Sequence, residues 1–149
     1  MLGRQVLLTR TFVLLAVHIG CFVGCSEKGP ERASVKGTVT LDGQPLDNGY
    51  INFIPQGKGG GPNSGAEIRK DGTFSVSGEK GVIVGRNRVE IHATKKTGNK
   101  IPGVPPAVPE GTLIDEVAEA IPEKYNTKST LTEMIGSEEN SIDFKLKSD

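Results

Sequence analysis

From Ser34 onward the chain repeats a period of two. Val35, Gly37, Val39 and Leu41 alternate with Lys36, Thr38 and Thr40, the pattern of a strand with one face buried. Ile51 and Phe53 carry a second run, which Pro55 ends, and Ala66 and Ile68 against Glu67 and Arg69 make a third. Phe74 and Val76 alternate with Thr73, Ser75 and Ser77; Val89, Ile91 and Ala93 alternate with Arg88, Glu90 and His92. Ile142, Phe144 and Leu146, set against Asp143, Lys145 and Lys147, close the series. Residues 82–84 read as an apolar bridge or as the start of the following strand. So persistent an alternation puts apolar side chains on one side of every strand, and that side must be buried against another layer.

The punctuation agrees. Asp42-Gly43 and Asp71-Gly72 mark turns, since Gly accepts positive φ and Asp can bond its own backbone. Asp71-Gly72 falls directly between two alternating runs, which predicts a β-hairpin. Gly57 to Ser64 is a Gly-rich polar loop; around Gly57-Lys58 it lacks the spacing of a phosphate-binding loop. The fold class expected is all-β, an antiparallel Greek-key β-sandwich of about seven strands.

One stretch resists the pattern. Residues 95–124 hold five of the nine prolines, Pro102, Pro105, Pro106, Pro109 and Pro122. A connection this long within a compact domain is unusual. Leu113, Val117 and Ile121 fall at helical spacing after Thr112, which suits a helix cap, so a short helix over 112–121 is allowed within this Pro-rich insertion. The segment is read either as a contact element carried on a rigid scaffold or as a cover for a sheet edge.

The first 25 residues have another character. Arg4 and Arg10 precede an apolar run from Phe12 to Ile19, and the segment closes on Phe22-Val23-Gly24-Cys25. A basic start, a short apolar middle and a small residue before the cut describe a secretory signal. The run is too short for a membrane-spanning helix, which needs about 20 apolar residues. Ending on Gly-Cys, the segment resembles a bacterial lipoprotein signal, and the resemblance implies lipid attachment at Cys25. Phe22 stands where that pattern usually has Leu; simple secretion and an uncleaved anchor remain as alternatives. The domains read from this are 1–24 as signal peptide, 25–33 as lipid-anchored linker and 34–149 as the β-sandwich. The expected location is the cell envelope, with the membrane engaged through the lipid.

Composition narrows the function classes. Without Arg4 and Arg10 the chain keeps 16 basic against 18 acidic groups, so no basic excess suggests a nucleic-acid surface. Both cysteines, Cys21 and Cys25, lie in the leader region, which leaves the domain without disulfide or thiol chemistry. With His92 as its one histidine the domain cannot assemble a typical zinc set. The acidic group Asp115, Glu116, Glu119 and Glu123 lacks the alternating loop of a calcium site and reads as a solvated face. No metal or cofactor is expected. His92 shares its strand face with Arg88 and Glu90, a cluster that reads as the solvated outside of a sandwich. There is no Gly-x-Ser-x-Gly elbow. Trp is absent, so Tyr50 and Tyr125 are the candidate contact residues on which a sugar ring could stack. Tyr125 is also read as a pin holding the long connection to the sandwich.

The runs Val35-Lys36-Gly37-Thr38-Val39 and Leu41-Asp42-Gly43-Gln44-Pro45-Leu46, with Ile51-Asn52-Phe53-Ile54-Pro55 and Asp71-Gly72-Thr73-Phe74, resemble carboxypeptidase regulatory-like, or transthyretin-like, sandwich domains. Ile121-Pro122-Glu123-Lys124-Tyr125-Asn126 with Ser129-Thr130-Leu131 looks like a short bacterial lipoprotein group built on that domain. The resemblance implies a passive or binding module; one branch of the superfamily is a hydrolase, which uses more than one His and ends in Tyr-Arg-Gly-Ser. This chain has one His in the domain and ends Lys145-Leu146-Lys147-Ser148-Asp149. The expectation is therefore a non-catalytic, lipid-anchored envelope protein with a structural or protein-interaction role. A carbohydrate-binding module is the alternative, and a transthyretin-related hydrolase comes last.

Overall fold

The computed structural model describes residues 29–57 and 60–149. The leader, Cys25 and the linker to residue 28 lie outside the described residues. The strands are β1 (Arg32–Ala33), β2 (Val35–Leu41), β3 (Gln44–Pro45), β4 (Tyr50–Pro55), β5 (Ser64–Glu67), β6 (Thr73–Val76) and β7 (Val82–Ile83). They continue with β8 (Gly85–His92), β9 (Thr94–Pro102), β10 (Leu113–Glu119), β11 (Thr132–Ile135), β12 (Asn140–Ser141) and β13 (Phe144–Leu146). Two 3-10 turns, η1 (Gly78–Lys80) and η2 (Glu123–Tyr125), complete the set, and no α-helix occurs among the described residues.

Two sheets form the body. One is four-stranded in the order β11-β8-β4-β5, antiparallel throughout. The other is built around β2, with β6 and β3 antiparallel along one side and β12 and β13 along the other. Seven strands of three or more residues make these two sheets, the number expected; the alternation marks six of them, and β11 is the seventh. One pairing departs from the antiparallel pattern: β12 and β13 run parallel to β2. The chain crosses to β12 from β11 in the facing sheet through residues 136–139, so no hairpin with β2 forces it antiparallel.

The inward residues of both sheets are the ones that alternation selects. Val35, Val39, Ile51, Phe53, Phe74, Val89, Ile91, Phe144 and Leu146 are all buried. Phe74 sits between Phe53 and Phe144, with ring centroids 6.1 Å apart on each side and planes tilted by 40°. Phe53 belongs to the four-stranded sheet and the other two to the facing sheet, so this tilted stack spans the interface between the layers.

Asp42-Gly43 makes the expected turn and with it a hairpin, with φ of 52° and 83° at the two turn residues and Leu41 opposite Gln44; positive φ at both positions is the geometry that suits right-twisted strands. Asp71-Gly72 does not. The turn itself forms, with Asp71 accepting from the Thr73 N–H and hydroxyl. Beyond it, however, β5 pairs with β4 and β6 with β2. The turn is a corner between layers, because Ile68 and Phe74 on either side both bury in the core.

Two further expectations change. The linker reading ran through Ala33, but Arg32 and Ala33 pair with β7 and Ala33 is buried. The helix allowed over 112–121 is absent: β10 occupies it and pairs antiparallel with β9. Leu113 and Val117 share a helical spacing, yet their even separation also puts them on one face of a strand, and among the described residues β9 is the element that pairs with it.

Candidate functional site

β9 and β10 form a ribbon of their own, in strand pairing with neither sheet. All nine residues of β9 are exposed, and by strand rise they extend about 26 Å. Neither β9 nor β10 therefore pairs with a sheet edge. A lone two-stranded hairpin is marginal in water, so its supports matter. Lys96 and Lys100 both reach Asp115, at 2.6 and 2.5 Å. Glu116 accepts from the Thr97 hydroxyl at 2.6 Å and the Asn99 amide at 2.9 Å. At the tip, Gly103 leaves room for Val108 to pack down where a Cβ would stand 2.1 Å from its methyl group.

The root is clasped to the sandwich. Glu119 Oε1 accepts from the backbone N–H of Ala93 at 3.0 Å and of Ile121 at 3.2 Å, while Oε2 lies 3.3 Å from His92 Nδ1. Partial burial raises the Glu119 pKa, but those two N–H groups and His92 more than offset it and hold the carboxyl below its usual value. The following Ile121–Asn126 segment locks the return: Ile121 is buried, and the buried Asn126 donates to the Ile121 carbonyl at 3.0 Å. Tyr125 packs partly buried on the core, and its hydroxyl accepts from Lys147 N–H at 3.2 Å.

With Asp115 and Glu116 satisfied within it, the ribbon offers apolar side chains outward. Val104 is 74%, Leu113 61% and Val117 56% exposed. Alternation puts Leu113, Asp115 and Val117 on one face with Pro102, Lys100 and Lys96 opposite them. The acidic group weighed as a cation site is dispersed: Asp115, Glu116 and Glu119 are engaged as above, and Glu123 pairs with Lys128. Among the described residues no three His, Cys, Asp or Glu side chains converge as a metal would require.

Arg88, Glu90 and His92 share the outer face of β8, as read from sequence, and divide their partners. Arg88 pairs with Glu90, whereas His92 turns to Glu119. No hydroxyl or thiol nucleophile is hydrogen-bonded to His92 among the described residues. Tyr50 stands opposite His92 in register and is 44% exposed. Its ring covers Gly65 on β5, where a Cβ would lie 2.7 Å from Tyr50 Cε1. Of the two tyrosines, Tyr50 presents a ring to solvent and Tyr125 serves as the pin. The ribbon strands, the Glu119 clasp and the buried Asn126 were missed in the sequence. Val-Ala-Glu and Lys-Lys-Thr carry little apolar alternation, and the only signal was the concentration of prolines between two weak runs.

No protein-family model matches the chain, and no curated protein matches it. Among solved structures it is similar to a DUF3823 family protein from Parabacteroides merdae, 17% identical with a TM-score of 0.41, over 78% of this chain and 46% of that one. The chain thus spans less than half the length of that protein. The likeness is too remote for anything to be carried across from it.

Proposed function

We propose that the chain is a lipid-anchored, non-catalytic cell-envelope protein of the carboxypeptidase regulatory-like, or transthyretin-like, kind, whose β9–β10 ribbon engages a protein partner. The observation that carries this reading is the ribbon itself: a clasped arm, ion-paired across its strands, with Val104, Leu113 and Val117 left uncovered. Burying such side chains contributes about 1.5–3 kcal/mol each, and loops on rigid scaffolds are where contact residues concentrate. Polarity along the body supports it. Pro30 lies beside Pro55 and Gly85, whereas the ribbon leaves from the Tyr50 and His92 end of the same strands. A chain moored at Cys25 reaches Pro30 within about 18 Å of extended backbone, so the arm would face away from its own membrane.

The test has two parts. Mass analysis of the mature N-terminus should find acyl groups on Cys25, and Cys25→Ala should release the protein from membranes. Replacing residues 96–117 by Asn-Gly, which joins the paired Lys95 and Ala118, should remove one specific partner from crosslinked cells. An unacylated N-terminus would overturn the anchor, and an unchanged set of partners would overturn the arm.

The carbohydrate-binding alternative rests on Tyr50, whose exposed ring adjoins polar grooves that include Asn63, Glu67, Asp47 and Asn48. Glycan-array binding that vanishes in Tyr50→Ala would favour it over the protein-contact reading.

A further inference from the structure

The two edges of the ribbon differ. Gly103 N–H donates to the Thr112 carbonyl at 2.8 Å, and Ala120 N–H donates to the Ala93 carbonyl at 2.7 Å. Antiparallel alternation between these two bonds turns the backbone of Ile114, Glu116 and Ala118 towards β9. The Glu116 carbonyl fits this, accepting from the Thr97 hydroxyl at 3.4 Å. Leu113, Asp115, Val117 and Glu119 therefore direct their N–H and C=O groups outward. Among the described residues no strand pairs on that side and no turn or loop backbone bonds to it. Five of the seven residues of β10 are exposed, so nothing packs along this edge.

The outer edge of β9, by contrast, carries devices that discourage pairing. Thr97, Gly98 and Asn99 all lie opposite Glu116, a bulge in which Gly98 has φ of 90°. Pro102 has no N–H, the Thr94 N–H is taken by Asn48 Oδ1 at 3.2 Å, and Lys96 and Lys100 stand along the strand. β10 contains no Pro, Gly or Lys, and its outward groups run without a break. One edge is blunted and the other is left regular.

Charge decides what fits the regular edge. β10 carries Asp115, Glu116 and Glu119 and no basic residue. Asp115 is answered by two lysines, and Glu119 by two backbone N–H groups and His92. Glu116 has neutral donors only: the Thr97 hydroxyl and the Asn99 amide hold its carboxyl below the usual value, and no cation pairs with it among the described residues. On the other face Leu113 and Val117 are uncovered. A second copy of the chain fits badly. β10 against β10 would set acids opposite acids, and β10 against β9 would meet the bulge and Pro102.

We propose, on the footing that the ribbon is the contact arm, that the outer edge of β10 takes up an extended segment of a partner protein whose residues alternate apolar and basic. The segment adds a third strand through the free backbone groups of Leu113, Asp115, Val117 and Glu119. Its apolar side chains lie beside Leu113 and Val117, and a Lys or Arg on its other face lies beside Glu116. A third strand also relieves the marginal stability of a two-stranded ribbon.

The test titrates the full-length protein with two end-blocked peptides, Val-Lys-Val-Lys-Val-Lys-Val and Val-Glu-Val-Glu-Val-Glu-Val. We expect the lysine peptide to bind about tenfold or more tighter than its glutamate counterpart, and Glu116→Gln to weaken the lysine peptide about fivefold. Val117→Pro removes an outward N–H and no bond to β9, a change that an edge tolerates, and should weaken the same peptide about tenfold. In the wild-type protein, hydrogen exchange at the Asp115 and Val117 amides should slow on adding the lysine peptide, a readout that stands if Val117→Pro does not fold. No binding, equal binding of the two peptides, indifference to Val117→Pro, or unaltered exchange at both amides would overturn the proposal. So would protection of those amides that rises with protein concentration alone, which would make a second copy the occupant. Any of these results, with one partner still lost on replacing residues 96–117, would leave the arm standing without strand addition. An unchanged set of partners after that replacement would sink both.

Discussion

The Ile142 carbonyl oxygen fills the place of a side chain on Gly37: a Cβ there would stand 1.7 Å from it. Ile142 N–H in turn donates to the Lys36 carbonyl at 2.9 Å, so the short break between β12 and β13 is seated in the notch that glycine leaves in β2. Gly37→Ala should cost at least about 2 kcal/mol, at the upper range of overpacking, read as a lower urea midpoint. Gly29→Ala, with open space around it, should leave the midpoint unchanged.

Phe74 contacts an aromatic ring from each sheet and is 1% exposed. Phe74→Ala should cost about 3–5 kcal/mol by transfer and cavity formation, while Phe74→Leu, closer in volume, should cost less than half as much. Equal losses would mean that the volume of the side chain does not set its contribution. Denaturant unfolding of the two variants distinguishes the cases.

Asn87 is a buried polar residue among the inward side chains of β8. Its amide donates to the Ile83 carbonyl at 2.8 Å and the Gly85 carbonyl at 3.1 Å, closing the corner between β7 and β8, and Oδ1 has no partner. Asn87→Ala should therefore cost about 1–3 kcal/mol, chiefly by leaving the Ile83 carbonyl without its donor. Asn87→Asp should be worse at neutral pH, because an acceptor would face two acceptors.

Asp115 tests the ribbon. Lys100 and then Lys96 hold its carboxyl down to about 2, against an ordinary 3.8. A carboxylate depressed in the folded state stabilises it above the unfolded value and loses that contribution as pH falls through the folded one. The ribbon should thus loosen between about pH 4 and pH 2, and the Asp115 carboxyl resonance should titrate near 2. In the double variant Lys96→Met, Lys100→Met the midpoint should rise towards 3.8.

The body of the fold was legible because Val35, Val39, Phe53, Phe74, Ile91 and Phe144 repeat at a spacing that only a half-buried strand explains. Partners of those strands were less so. Asp71-Gly72 encodes a turn by local conformation, but whether β5 and β6 then pair is decided by where Ile68 and Phe74 find a core. The β11 strand, Thr-Glu-Met-Ile, carries one buried residue, Ile135, too little for a period to register. In the ribbon charged and apolar residues share a face, as Leu113, Asp115 and Val117 do; its structure rests on cross-strand ion pairs that a linear reading does not reveal. The Glu119 clasp joins residues 26 apart through backbone N–H groups and leaves no trace in composition.

The most direct measurement is site-specific photo-crosslinking in intact cells that naturally make the protein, with benzoylphenylalanine placed at Leu113, Val117 or Lys145. Lys145 is exposed on the sheet that does not bear the ribbon. The account predicts one discrete adduct from Leu113 and Val117 and none from Lys145. Adducts absent at both ribbon positions, or the same from all three, would contradict it.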